Sequence, residues 1–219
     1  MARIARVIVP GIPLHVTQRG NRRQQTFFND ADYVYYKDLM AHWSQKFEVD
    51  IWVWCLMPNH VHLLAVPSDQ EGLSRAIGET HRRFTRHINF RENWRGHLWQ
   101  ERFASFPLDE KHLLAVVRYI EMNPVAAGLA KHPGEYRWSS ARAHLENIDD
   151  GLTTKSPQLS QYGDWSAILS LSTEVEVAKL HQHERTGRPL GSTDFAKRLE
   201  QTLNRTLAPQ KPGPKKKKK

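Results

Sequence analysis

Apolar and polar positions alternate from Leu14 to Arg19, the pattern of a half-buried strand, and Gly20-Asn21 ends it. Asn29 or Asp30 can cap a helix on which Tyr33, Tyr36, Met40, Trp43 and Phe47 form one stripe. That spacing matches burial of a single helix face, so the stripe is assigned to the core. Two β-branched and aromatic runs follow, Val49–Met57 and His60–Pro67, around a Pro58-Asn59 turn, and together they predict an antiparallel hairpin. In a tight-turn register Ile51, Val53, Cys55, Met57, His60, His62, Leu64 and Val66 share one face. Trp52, Trp54, Leu56, Val61, Leu63 and Ala65 share the other. Both faces are apolar, so the hairpin should be central, with helices over both sides. Proline fits poorly in two-residue hairpin turns, which leaves the register open.

Further along, Leu73, Ile77, Phe84 and Ile88 mark a helix over roughly 70–89. Leu98–Phe106 is the next expected strand. Asp109 can cap a third helix to about Met122, with Leu113, Val116, Val117 and Ile120 as its core stripe and Pro124 as its stop. Trp138-Ser139-Ser140 has the form of a staple and cap opening a short helix through Leu145. Residues 147–163 read as a loop. Thr173 and Glu176 make a capping box for a helix to about Arg185, and Ser192 can cap a last helix bearing Phe195, Leu199 and Leu203. From Ala208 onward, proline, glycine and lysine predict a disordered basic tail. The chain thus divides at 1–146, 147–207 and 208–219.

Composition adds a partner class. The net charge is +9, which favours nucleic acid first. Arg3, Arg6, Arg19, Arg22 and Arg23 precede the first acidic residue, a second cluster includes Arg75, Arg82, Arg83, Arg86, Arg91 and Arg95, and Lys215–Lys219 end the chain. Cys55 is the single cysteine, which excludes an internal disulfide and fits a reducing cytoplasm. No apolar run reaches the roughly 18 residues of a membrane span. Pro10, Gly11 and Pro13 break the stretch that a signal peptide would need.

Two pairs of residues bear on chemistry. His60 and His62 are two apart on a strand, so both imidazoles project from one face, a geometry suited to a divalent cation. With twelve histidines in the chain, the pair could equally be unremarkable. Tyr119 and Asn123 lie four apart on one helical face, offset from the leucine–valine stripe. Such a helix over the hairpin could bring Asn123 to a metal and the Tyr119 hydroxyl to a phosphate. The alternative is a buried tyrosine with an ordinary hydrogen-bond partner.

The segments Leu-Met-Pro-Asn-His-Val-His-Leu-Leu (56–64) and Arg-Tyr-Ile-Glu-Met-Asn-Pro-Val-Ala-Ala-Gly-Leu (118–129) resemble the signatures of the single-tyrosine HUH transposases. More narrowly, they resemble the REP-associated tyrosine transposases. Thr17–Asn21, Leu98–Phe103 and Tyr136–Ser140 support the likeness, which runs over about residues 3–145 in the family's order. The resemblance implies an α+β, ferredoxin-like or RRM-like antiparallel sheet with helices on both faces, followed by a C-terminal helical extension. It implies that His60 and His62 bind Mg²⁺ or Mn²⁺, that Asn123 is the third ligand, and that Tyr119 is the nucleophile of a 1–146 catalytic domain. A 5′-phosphotyrosine and a free 3′-hydroxyl would result. The expected substrate is single-stranded DNA with imperfect hairpins, contacted by Arg19, Asn21, Arg22, Arg23, Arg82, Arg83, Arg86 and the lysine tail. A monomer in the cytoplasm, at the nucleoid, is expected over a homodimer.

Three rivals stand beside this expectation. One is a DNA-hairpin-binding regulator that keeps the fold without cutting. Another is a zinc protein using Cys55 with His60 and His62, and the third is a metal nuclease that uses water and leaves no protein–DNA adduct.

Overall fold

The computed structural model describes residues 4–171 and 174–208. Four strands, β1 (Leu14–Arg19), β2 (Val49–Met57), β3 (His60–Pro67) and β4 (Ala104–Pro107), form one antiparallel sheet in the order β2-β3-β1-β4. Helix α1 (Asp30–Lys46) joins β1 to β2, and α2 (Gly72–Arg91) joins β3 to β4. This is the ferredoxin-like βαββαβ arrangement. The sheet has two apolar faces, and each is covered. Leu14, Val16, Trp54, Leu56, Val61 and Leu63 pack under α1 and α2. Val53, Cys55, Met57 and Leu64 pack under α3 (Glu110–Glu121).

The local signals act as their chemistry requires. Asn29 caps α1 by accepting from Asp32 N, and Asp109 caps α3 by accepting from His112 N. Tyr33, Tyr36, Met40 and Trp43 are buried, as are all four members of the α3 stripe. The turn at Pro58-Asn59 is tight, pairing Met57 with His60 and Cys55 with His62.

The expected face assignment fails at one point. Ile51 pairs with Ala65 but Val53 pairs with Leu64, so Trp52 is the extra residue of a bulge. Ile51 consequently joins the α1–α2 core, and Trp52 joins the α3 core. The strand expected over Leu98–Phe106 is also shorter. Glu101 sits in the left-handed region at φ 52 and interrupts it. Leu98 and Gln100 still bond the end of β1, through Asn21 N to Leu98 O and Gln100 N to Arg19 O.

After α3, a one-turn helix α4 (Asn123–Ala126) follows, with Pro124 in its first turn. Ser140 does not cap α5 (Ala141–Glu146) with its side chain; its hydroxyl turns inward to Trp54 and Glu121. Trp138 stacks on Tyr33 at 4.6 Å. Within 147–163 lies the short helix α6 (Pro157–Ser160), and α7 (Trp165–Ser170) follows without having been expected. Leu159, Trp165, Ile168, Leu169, Leu180 and Leu190 enter the α3-side core. They carry α7 and α8 (Glu174–Thr186) onto the sheet. Helix α9 (Thr193–Leu203), capped by Ser192, closes with Phe195 and Leu199 on Val7. Thr173, half of the expected capping box, and the tail from residue 209 lie outside the described residues. Among the described residues, no helix is long and apolar enough to cross a membrane.

Candidate active site

Strand alternation sends the His60 and His62 side chains toward α3, with ring centroids 4.9 Å apart. Each ring is oriented through its Nδ1. Asn59 Oδ1 accepts from His60 Nδ1–H at 2.6 Å, and His62 Nδ1 shares a hydrogen bond of 3.1 Å with His15 Nε2 on β1. Both Nε2 atoms are thereby left for another partner.

Helix α3 supplies the rest. The Tyr119 ring meets His62 edge-on, at 5.4 Å between centroids. One turn later, Asn123 Nδ2 lies 3.4 Å from His62 Nε2. Rotating that amide by half a turn would put its oxygen where the nitrogen is, converting a donor into a cation ligand. His60, His62, Tyr119 and Asn123 are thus brought together within one chain.

Burial sets their protonation. His60 is pulled down to about 4, first by loss of hydration and then by the charge of Arg19. His62 is held well below its ordinary value, again chiefly by burial, with His60 and His15 adding to the effect. Both imidazoles are neutral near pH 7, the form that ligates metals. The Tyr119 hydroxyl is pushed up by burial and by the nearby Glu184 carboxylate, partly offset by a hydrogen bond from Asn123 and by Arg19. Left alone it is a poor nucleophile. Two neutral imidazoles with oriented rings, an amide and a buried phenol fit a divalent cation with open coordination positions.

The basic candidates divide into two groups. Arg19 ends β1 opposite His60. Asn21, Arg22 and Arg23 form a tight turn in which both arginines take positive φ and are exposed. The segment is tied to the hairpin turn by Gly20 N to Asn59 O at 2.8 Å and Asn59 Nδ2 to Arg23 O at 3.1 Å. Gly20 is required there, because an added Cβ would come within 2.4 Å of Gln24 O. Arg82, Arg83 and Arg86 instead sit on α2, across the sheet from the histidines. Arg82 and Arg83 pair with Glu79 there.

Among the described residues, the side chains grouped closely enough to hold a metal ion are His15, His62 and Glu184. Neither His15 nor Glu184 stood out in the sequence. His15 shares the alternation of Thr17 and Arg19, which was a usable signal; Glu184 on α8 had none. Cys55 does not join the group. Its thiol is buried and pushed well up by desolvation and by Glu121. An open cavity of about 1550 Å³ lies elsewhere, between α1 and residues 147–165, and is lined by none of these four residues.

The profile of the family described as "Transposase IS200 like" matches residues 8–123. The chain belongs to the IS200-like transposase family. That stretch contains His60, His62, Tyr119 and Asn123, and a transposase role follows from the membership. Among solved structures, the fold is similar to that of a REP-associated tyrosine transposase bound to a REP hairpin. The TM-score is 0.57 at 21% identity, over 71% of this chain and 93% of that one. A putative transposase from Deinococcus radiodurans R1 is also similar, with TM-score 0.39 and 21% identity over 54% of this chain and 95% of that one. No curated protein sequence matches the chain.

Proposed function

We propose that this IS200-like transposase is a metal-dependent single-strand DNA endonuclease and strand transferase with Tyr119 as nucleophile. The observation that carries the reading is the pair of imidazoles oriented through Nδ1 beside Tyr119 and Asn123, with His62 Nε2 meeting only the Asn123 amide, which rotation turns into an oxygen ligand. His60, His62 and Asn123 would hold Mg²⁺ or Mn²⁺. Such an ion supplies Lewis-acid stabilisation of charge on a bound phosphate. Tyr119 Oη forms the new bond to phosphorus as the bond to the 3′-oxygen breaks. The phenol loses its proton and the leaving oxygen gains one, giving a 5′-phosphotyrosine and a 3′-hydroxyl. The covalent bond retains the energy needed to join a second strand.

That one chain contributes all four residues supports a monomer as the catalytic unit. The REP hairpin bound to the solved relative makes a single strand folded as an imperfect hairpin the substrate we assign. Arg19, Asn21, Arg22 and Arg23 would meet its phosphates beside His60, while Arg82, Arg83 and Arg86 would offer a second basic surface across the sheet.

A labelled hairpin oligonucleotide from DNA flanking the gene, incubated with Mn²⁺ and run on a denaturing gel, tests this. Wild type should give a detergent-resistant adduct; Tyr119→Phe should bind the same DNA and give none. Cutting by Tyr119→Phe would refute the nucleophile assignment. Binding by wild type with neither cut nor adduct would favour the non-catalytic hairpin-binding regulator.

A further inference from the structure

Two buried polar atoms near the histidine pair have no hydrogen-bond partner: His15 Nδ1 and Glu184 Oε1. Such orphans are uncommon, because each gives up its hydration for nothing. These two face each other at 3.8 Å, and they are complementary, a ring N–H and a carboxylate oxygen. A closure of about 1 Å would make a charge-assisted hydrogen bond between them.

The contact extends a line that starts at His62. His62 Nδ1 lies 3.1 Å from His15 Nε2, with the two ring planes only 6° apart. From the solvent side, His181 Nδ1 lies 3.0 Å from the other oxygen of Glu184 and helps to fix the carboxylate. Proton positions along this line are interdependent. If Glu184 accepts from His15 Nδ1–H, then His15 Nε2 is a lone pair and accepts from His62 Nδ1–H. His62 Nε2 is then also a lone pair, facing Asn123 and ready for a cation. Carboxylate–histidine partners of this kind set both the tautomer and the angle of metal-ligating imidazoles.

We propose that His15 and Glu184 are positioning residues that hold the His62 ring with Nε2 turned to the cation, making α8 part of the catalytic centre. This rests on the metal reading above. The same side chains have ligand atoms within 4.8 Å of one another and could themselves hold an ion. An ion there would be enclosed by His15, which is fully buried, and His62, which is 3% exposed. It would have little access to a DNA phosphate, so we assign positioning.

Two measurements test the relay without reading cleavage. In the metal-free wild type, ¹⁵N NMR of the histidine rings should show His62 and His15 both protonated at Nδ1. Protonation of His62 at Nε2 overturns the proposal. Mn²⁺ affinity is then followed by EPR or calorimetry, with thermal melting to confirm folding. His15→Leu should weaken Mn²⁺ binding by about 10–100-fold, the usual cost of losing an outer partner. His15→Gln should restore affinity to within about threefold, since its amide can accept from His62 and donate to Glu184. Glu184→Ala, on the better-exposed helix, should weaken binding by a smaller factor.

Equal losses in His15→Gln and His15→Leu overturn positioning in favour of His15 as a direct ligand. Unchanged affinity in folded His15→Leu, or in Glu184→Ala, overturns the relay. His60→Ala separates the two readings. If it binds Mn²⁺ as tightly as wild type, the metal assignment itself has failed, whatever the relay does.

Discussion

Glu121 and Glu184 are two carboxylates near α3 with opposite surroundings. Glu121 lies on α3 itself, fully buried and turned away from the Tyr119 face. Ser140 Oγ donates to it at 2.6 Å, His144 Nδ1 lies at 2.7 Å, and Trp165 Nε1 donates at 2.7 Å. Through these contacts it ties α3 to α5 and α7, and Ser140 carries the tie to Trp54 on β2. Glu184 has a partner for one oxygen and none for the other. A saturated network fixes a helix; an unsaturated one keeps bonding capacity in reserve. The helix carrying Tyr119 is therefore anchored on one side and left chemically open on the other.

The sharpest way to break this comparison is Glu121→Ala. It removes the shared acceptor of three donors, leaving the buried Trp165 Nε1 without a partner, and should cost about 3–5 kcal/mol, read by urea unfolding. A loss below about 1 kcal/mol would show that Glu121 is not the anchor. Trp165→Phe keeps most of the ring but removes one donor to a carboxylate, and should cost about 1.5–3 kcal/mol in the same assay. Glu184→Ala should change stability by less than about 1 kcal/mol, because it removes one partly exposed contact. If it destabilised the protein as much as Glu121→Ala, the two carboxylates would have the same job.

The smallest expected effect is a lack of pH dependence. Protons compete with a cation for His60 only as the ring titrates. Because the ring is held down to about 4 rather than 6.5, that competition sets in on the acid side of pH 5. Calorimetric Mn²⁺ affinity should therefore stay within about threefold between roughly pH 7.5 and 5.5. A decline through 6.5 would mean that His60 is hydrated like a surface histidine.

The sequence made the sheet legible because β1 and the hairpin are governed by local alternation and by one turn. Local rules also located α1, α2 and α3, whose caps and stripes lie within their own segments. The Trp52 bulge was not legible, since it depends on how two strands match in length over a twisted surface. Helix α7 is too short to show a period, and the Ser140 hydroxyl had a better partner in Glu121 than in the cap. His60, His62, Tyr119 and Asn123 could be read as two close pairs, on one strand and one helix face. His15 had only its place in the β1 alternation and Glu184 had no signal, because the antiparallel β1–β3 pairing and the docking of α8 are what place them next to His62.

The fastening of α8 and α9 also bears on when the centre comes into being. Leu190 bridges to Leu108, Ile4 N donates to Thr186 O, and Val7 is covered by Phe195 and Leu199. The sheet and Tyr119 are synthesised well before these segments. At ordinary translation speeds, about 3–12 s separate Asn123 from Glu184. During that interval the nascent chain holds its histidines and tyrosine without the carboxylate behind them. The proposed His15–Glu184 contact can therefore form only after α8 has been made, and a chain broken before residue 184 would carry the sheet without it.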